Sequence, residues 1–182
     1  MMRFVRFVAE LCRLRGGPQD LPHSPTLLVW LVAVAVALDA LLGSLLDADG
    51  DGTGLGRALL SSGLVLVLAW IALAMLGRGA RYVQTATALV ACGLLVSLVQ
   101  LPIALLMEPI AAPAAGRSLP AAEPLQVLLR WLALATLIWQ LLVNAHILRH
   151  ALDSRFGIGL LLALSWVIGY WALESVLFGA AA

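Results

Sequence analysis

The chain has 182 residues, of which 63% are hydrophobic and 12% charged, with a net charge of +1. Soluble domains carry about 25% charged residues, so half that fraction together with several long apolar runs marks a polytopic membrane protein. The near-neutral charge and the lack of a basic cluster argue against a nucleic-acid partner.

Residues 1–16 read MMRFVRFVAELCRLRG. Arg3, Arg6, Glu10 and Arg13 share one helical face, and Phe4, Phe7, Val8, Leu11 and Leu14 fill much of the rest. This is the pattern of a short amphipathic helix in the membrane interface, with Arg toward lipid headgroups. A linker over 17–24, GPQDLPHS, ends it with turn formers. Ser24 is placed to cap the next helix, with Pro25 in its first turn.

From residue 25 onward the chain reads as a single five-helix transmembrane domain, 25–182, of all-α class. The spans are expected at 25–46, 55–76, 81–107, 125–152 and 156–178. The third is the clearest: from Tyr82 to Met107 it holds no formal charge, and about 20 apolar residues suffice to cross a bilayer as a helix. At helical spacing Tyr82, Ala86, Gly93, Ser97, Gln100 and Ala104 make a small or polar face. Such faces pack against other helices in lipid, which makes this span central to a bundle. The loop from Glu108 to Pro124 carries four prolines and reads as extended.

Arginines near the span ends set an expected orientation. Eight (Arg3, Arg6, Arg13, Arg15, Arg78, Arg81, Arg149, Arg155) fall on the side of the N-terminus and three (Arg57, Arg117, Arg130) on the other. The N-terminus is therefore expected in the cytoplasm and the C-terminus in the periplasm or exterior. All basic residues are Arg and none is Lys, and the chain is rich in Ala, Leu, Val and Gly. That composition suggests a GC-rich bacterial genome, and so the bacterial cytoplasmic (inner) membrane.

Polar residues inside the spans are the candidate functional groups. Asp39 is the only charge in the first span, and a mid-membrane charge costs roughly 2.5–3.5 kcal/mol on insertion scales. Counting depth at about 1.5 Å per residue puts Asp39, Gln100, Arg130 and Glu174 toward the same outer side. An Asp39–Arg130 pair with Gln100 near is the expectation. Gln140 and Asn144 share a face with Ala133 and Thr136 and are expected to join helices through amide hydrogen bonds. Two metal patterns are weak. Asp47, Asp49 and Asp51 occupy positions 1, 3 and 5 of a calcium loop, but Ala58 stands where a bidentate Glu is required. His146, His150 and Asp153 lie at i, i+4 and i+7, a spacing that can bind a transition metal. Cys12 and Cys92 are expected in different places, at the cytoplasmic surface and inside the membrane, with no redox or zinc spacing. No nucleophile motif, phosphate-binding glycine loop or carboxylate dyad is present. The expectation is no cofactor, no metal and no catalysis.

The segments RYVQTATALVACGLLVSLVQLPI (81–103) and WQLLVNAHILRHAL (139–152), with five spans and short loops, resemble the Yip1 family of small membrane proteins. The stretch GPQDLPHSP (17–25) is similar to a group of uncharacterised bacterial inner-membrane proteins. The resemblance implies a five-span bundle and supplies no reaction. The reading that follows is a non-catalytic scaffold, assembly factor or accessory subunit, with the lipid bilayer and other membrane proteins or further copies of itself as partners. The alternative is a small transporter or lipid-handling protein that uses the polar residues inside the bundle.

Overall fold

The computed structural model describes residues 2–46, 53–107 and 123–179. Six α-helices account for most of these, and the described residues contain no strand. They are α1 (Met2–Cys12), α2 (Pro25–Leu46), α3 (Gly54–Met75), α4 (Tyr82–Leu106), α5 (Pro124–Ala151) and α6 (Phe156–Leu177). The last five are each long and apolar enough to cross a membrane. Their outward faces carry large apolar side chains: Trp30, Trp131, Trp171 and Val176 are all about two-thirds exposed or more. A water-facing surface rarely carries so much contiguous apolar area, whereas a lipid-facing one does. The chain is a multi-pass helical membrane protein.

Helix boundaries follow local chemistry. Leu27 N donates to Ser24 Oγ at 3.2 Å, so Ser24 caps α2 and Pro25 occupies its first turn. Gly77 ends α3 in the left-handed region (φ +67°), with Arg78 N donating to Leu73 O and Gly77 N to Ala74 O. Pro102 lies inside α4, which nevertheless continues to Leu106. Spanning helices tolerate proline because neighbouring groups satisfy the freed carbonyl.

Helix α4 is the centre of the bundle. It packs on α2, α3 and α5, and α6 closes the ring between α5 and α3. Nine of its residues from Thr85 to Val96 are buried. Two close helix crossings depend on glycine. A Cβ on Gly43 of α2 would lie 3.0 Å from Gly54 Cα of α3. A Cβ on Gly159 of α6 would lie 2.3 Å from Ala145 O of α5, inside any permitted contact.

Helix α1 turns its apolar face onto α4 and α5 rather than outward. Val8, Leu11 and Cys12 are buried there, while Arg6 and Arg13 stay exposed. The linker follows it down, with Leu21 buried. Three side chains hold this segment by its backbone. Gln84 Nε2 donates to Leu21 O at 2.8 Å and to Gln19 O at 3.3 Å. Trp139 Nε1 donates to Cys12 O at 2.9 Å. His146, in its Nε2–H tautomer, donates to Gly16 O at 3.0 Å. Docking also corrects the expected separation of the cysteines: Cys12 and Cys92 belong to one buried core with their thiols in contact, and both are free.

Candidate functional site

A chamber of about 400 Å³ opens among α2 to α6. Each wall comes from a helical stripe. Helix α2 presents Ala35, Asp39 and Gly43, one residue per turn, and α3 presents Arg57, Ser61, Ser62 and Val65. Helix α4 contributes Gly93, Ser97 and Gln100 from its small and polar face. Gln140 and Asn144 of α5 and Tyr170 of α6 complete it. Small residues on α2 and α4 leave the space, and polar residues at neighbouring turns line it.

The acid in this chamber is Asp39. Ser97 Oγ donates to its Oδ1 across 3.5 Å, a long contact, and among the described residues no basic side chain forms an ion pair with it. The expected Asp39–Arg130 pair is therefore absent. Depth along the membrane was a sound coordinate, but lateral position decides contact. Asp39 sits on α2, which packs on α3 and α4, whereas Arg130 sits on α5, which packs on α4 and α6. The basic residue that does reach the chamber is Arg57, near the start of α3. Its Nε lies 3.5 Å from Glu174 Oε1, and its guanidinium stands 5.7 Å from the Phe178 ring centroid. Glu174 thus joins the polar cluster through Arg57. Gln100 joins by donating from Nε2 to Thr136 Oγ1 at 3.2 Å.

Gln140 and Asn144 do not bridge helices as expected. Both face the chamber, and among the described residues neither amide hydrogen-bonds to a protein group. The reason is on the opposite wall: Gly93 has no side chain to meet Gln140, and a Cβ there would still be 4.0 Å from its Nε2. The amides are left to bond with whatever occupies the space.

A second hollow of about 400 Å³ adjoins the first. It lies between α5 and α6 over α3 and is mostly apolar, lined by Leu137, Leu141, Leu164, Trp166 and Trp171 among others. Ser61, Val65, Gln140, Asn144 and Tyr170 border both hollows.

The metal patterns fare differently. Asp47, Asp49 and Asp51 lie outside the described residues. His146 and His150 meet edge to face, with ring centroids 4.7 Å apart, but with Asp153 they do not form a group placed to hold a metal ion. His146 is buried on Gly16 O, and His150 Nε2 faces Arg149 Nη2 at 3.3 Å. Helix α5 ends at Ala151, and Asp153 takes a left-handed conformation (φ +44°), so the i+7 spacing no longer places it over the histidines. Its carboxylate instead receives Arg78 and, at 3.0 Å, Arg81 from the α3–α4 turn. Arg78 first, and then Arg81, holds Asp153 below the usual carboxylate range. Among the described residues no group of three or more His, Cys, Asp or Glu is placed to hold a metal ion.

Sequence reasoning missed Arg57. In the sequence it reads only as a charge flanking its span, although it lies within the first turn of α3, near the same end of the bundle as Glu174. No family model, curated protein or solved structure matches this chain.

Proposed function

We propose that the protein is a non-catalytic, ligand-holding membrane protein of the lipid-handling or small-transporter class, with its site in the chamber among α2 to α6. The observation that carries this reading is a cavity of about 400 Å³ lined by Asp39, Gln140 and Asn144, whose polar atoms lack full protein partners among the described residues. Polar groups inside a membrane bundle are costly unless satisfied, and ligand sites of about 300–1,000 Å³ combine apolar walls with a few such groups. The scaffold reading draws less support, because the small-residue faces on which it rested are used within the chain. Gly43 and Gly54 pack on each other, Gly159 packs on α5, and Gly93 faces the chamber. The five-span, Yip1-like resemblance is compatible with either reading.

The orientation we propose puts α1 and the α3–α4 and α5–α6 turns in the cytoplasm of a bacterial cell, following the excess of Arg at that end. The chamber's charged groups then lie toward the exterior. The test is purification in mild detergent with lipid and small-molecule content measured by mass spectrometry. Wild-type protein should retain a ligand that Gly93→Phe, which fills the chamber, loses while its helical circular dichroism is kept. Equal retention in both proteins would refute the chamber as the site. A stoichiometric protein partner and no ligand would return the reading to a scaffold.

A further inference from the structure

The polar chamber and the apolar groove share a wall, and together they have the shape of one amphipathic molecule. The groove is bordered by side chains that face outward as well as inward: Leu137 and Ile138 are each 48% exposed, and Trp171 is 65% exposed. It is therefore open sideways to the hydrocarbon region, between α5 and α6. Tyr170, Gln140 and Asn144 stand where the groove meets the chamber. A molecule seated across that junction would have its polar part in the chamber and its chain against Leu141 and Trp166.

The chamber's charges narrow the polar part. Its lining carries one carboxylate, Asp39, and one guanidinium, Arg57. Arg57 is turned to Glu174, which leaves Asp39 with the Ser97 hydroxyl as its described contact. A carboxylate in that position favours a cationic group beside it. Free water would satisfy Asp39 but would leave the groove to be filled separately. An amine-bearing lipid satisfies both hollows at once.

We propose that the chamber and groove form one site for an aminophospholipid taken sideways from the bilayer, with its ammonium group facing Asp39 and one acyl chain along the groove between α5 and α6. This rests on the lipid-handling reading and names the class of lipid. No bond is made or broken; the site selects and holds.

Trp166 gives a direct readout, because it lines the groove and is only 5% exposed. The experiment uses full-length protein in which Trp166 is the sole tryptophan, the other five being Phe. It is reconstituted with phosphatidylethanolamine or phosphatidylglycerol brominated on one acyl chain. Bromine quenches at short range, so Trp166 responds only to a chain inside the groove. The amine lipid should quench at about tenfold lower mole fraction than the glycerol lipid, a ratio that one charge pair sustains. Asp39→Asn should abolish the difference, and Asp39→Glu should keep most of it. If the five-fold Trp variant does not fold, the quenchable fraction lost between wild type and Trp166→Phe gives the same measurement.

Equal quenching by both lipids, unchanged in Asp39→Asn, would overturn the amine assignment and leave the lipid-handling reading intact. No quenching by either lipid, in a protein that retains lipid on purification, would overturn the groove as the chain site. Absence of both quenching and retained ligand would sink the underlying reading as well. Displacement of the brominated lipid by free phosphoethanolamine at micromolar concentration would make the source the aqueous phase and overturn uptake from the bilayer.

Discussion

Gly159 on α6 meets α5 so closely that its replacement by alanine tests the whole arrangement around the groove. A Cβ at this position would lie 2.3 Å from Ala145 O, 3.1 Å from Arg149 N and 3.2 Å from Ala145 C. Carbon and carbonyl oxygen normally approach no closer than about 3.3 Å, so the two backbones must separate by about 1 Å. The atoms in the way are main chain and have no rotamer to change. A gap of 0.5–1 Å forfeits roughly a quarter to a half of each dispersion contact along the seam. Overpacking a tight interior generally costs about 1–3 kcal/mol, and a main-chain clash belongs at or above the upper end. Gly63 supplies the control, since a Cβ built there meets nothing within 4 Å. Gly63→Ala should be neutral or slightly stabilising through better helix propensity, by up to about 1 kcal/mol. The assay is reversible unfolding in mixed micelles, followed by helical circular dichroism and by the fluorescence of Trp166 in the same groove. Gly159→Ala should be less stable than wild type by about 3 kcal/mol or more, with Gly63→Ala close to wild type. Equal stability of the two variants would show that α5 and α6 do not cross at Gly159.

Three further outcomes follow from other parts of the molecule. Cys12 and Cys92 are 5% and 1% exposed under the docked α1, so a maleimide should label neither in folded protein. Phe4→Ser with Leu11→Ser removes the buried anchor, where truncation of such a leucine costs about 2–5 kcal/mol, and should expose both thiols while the bundle stays helical; unchanged labelling would mean α1 is not held there. Asp153 has its carboxylate held below its ordinary value of 3.8 by Arg78 and Arg81, so the tie contributes stability above pH 3.8 and loses it as pH falls through the lower folded value. Asp153→Asn should therefore lower Tm at neutral pH, and its difference from wild type should close only below pH 3.8; a difference that closed near pH 6 would point to a histidine instead. For topology, a reporter inserted at Gly79 should be active in the cytoplasm and one fused after Ala182 active outside it; an alkaline-phosphatase signal at Gly79 would invert the orientation.

The spans were legible because their signal is local. A run such as Tyr82–Leu106 needs only its own length and lack of charge to be recognised, and Ser24 with Pro25 marks a helix start within two residues. The docking of α1 was legible only in part. Its amphipathic pattern shows in the residues themselves, but an apolar face reads the same whether it meets lipid or protein. What decides between them is Gln84, Trp139 and His146, each donating to a carbonyl more than sixty residues away. A polar residue in a span announces that it needs a partner, not which backbone provides it. The same limit hid the contact between Cys12 and Cys92.

The charged cluster shows that limit most clearly. Counting residues from span ends assigned Asp39, Gln100, Arg130 and Glu174 to one side of the membrane, because rise per residue is nearly constant along any helix. Depth is one coordinate of three. The other two depend on which helices are neighbours, and the close crossings are made by small residues: Gly43 against Gly54, and Gly159 against Ala145. Those contacts set α2 beside α3 and α5 beside α6. Arg57 thereby reaches the chamber that holds Asp39, and Glu174 reaches Arg57. Arg130, at a similar depth, is on α5, whose Gln140 and Asn144 line the chamber while Arg130 does not. The glycine crossings thus bear on which charges meet, and among the described residues Asp39 is left without an arginine in ion-pair contact.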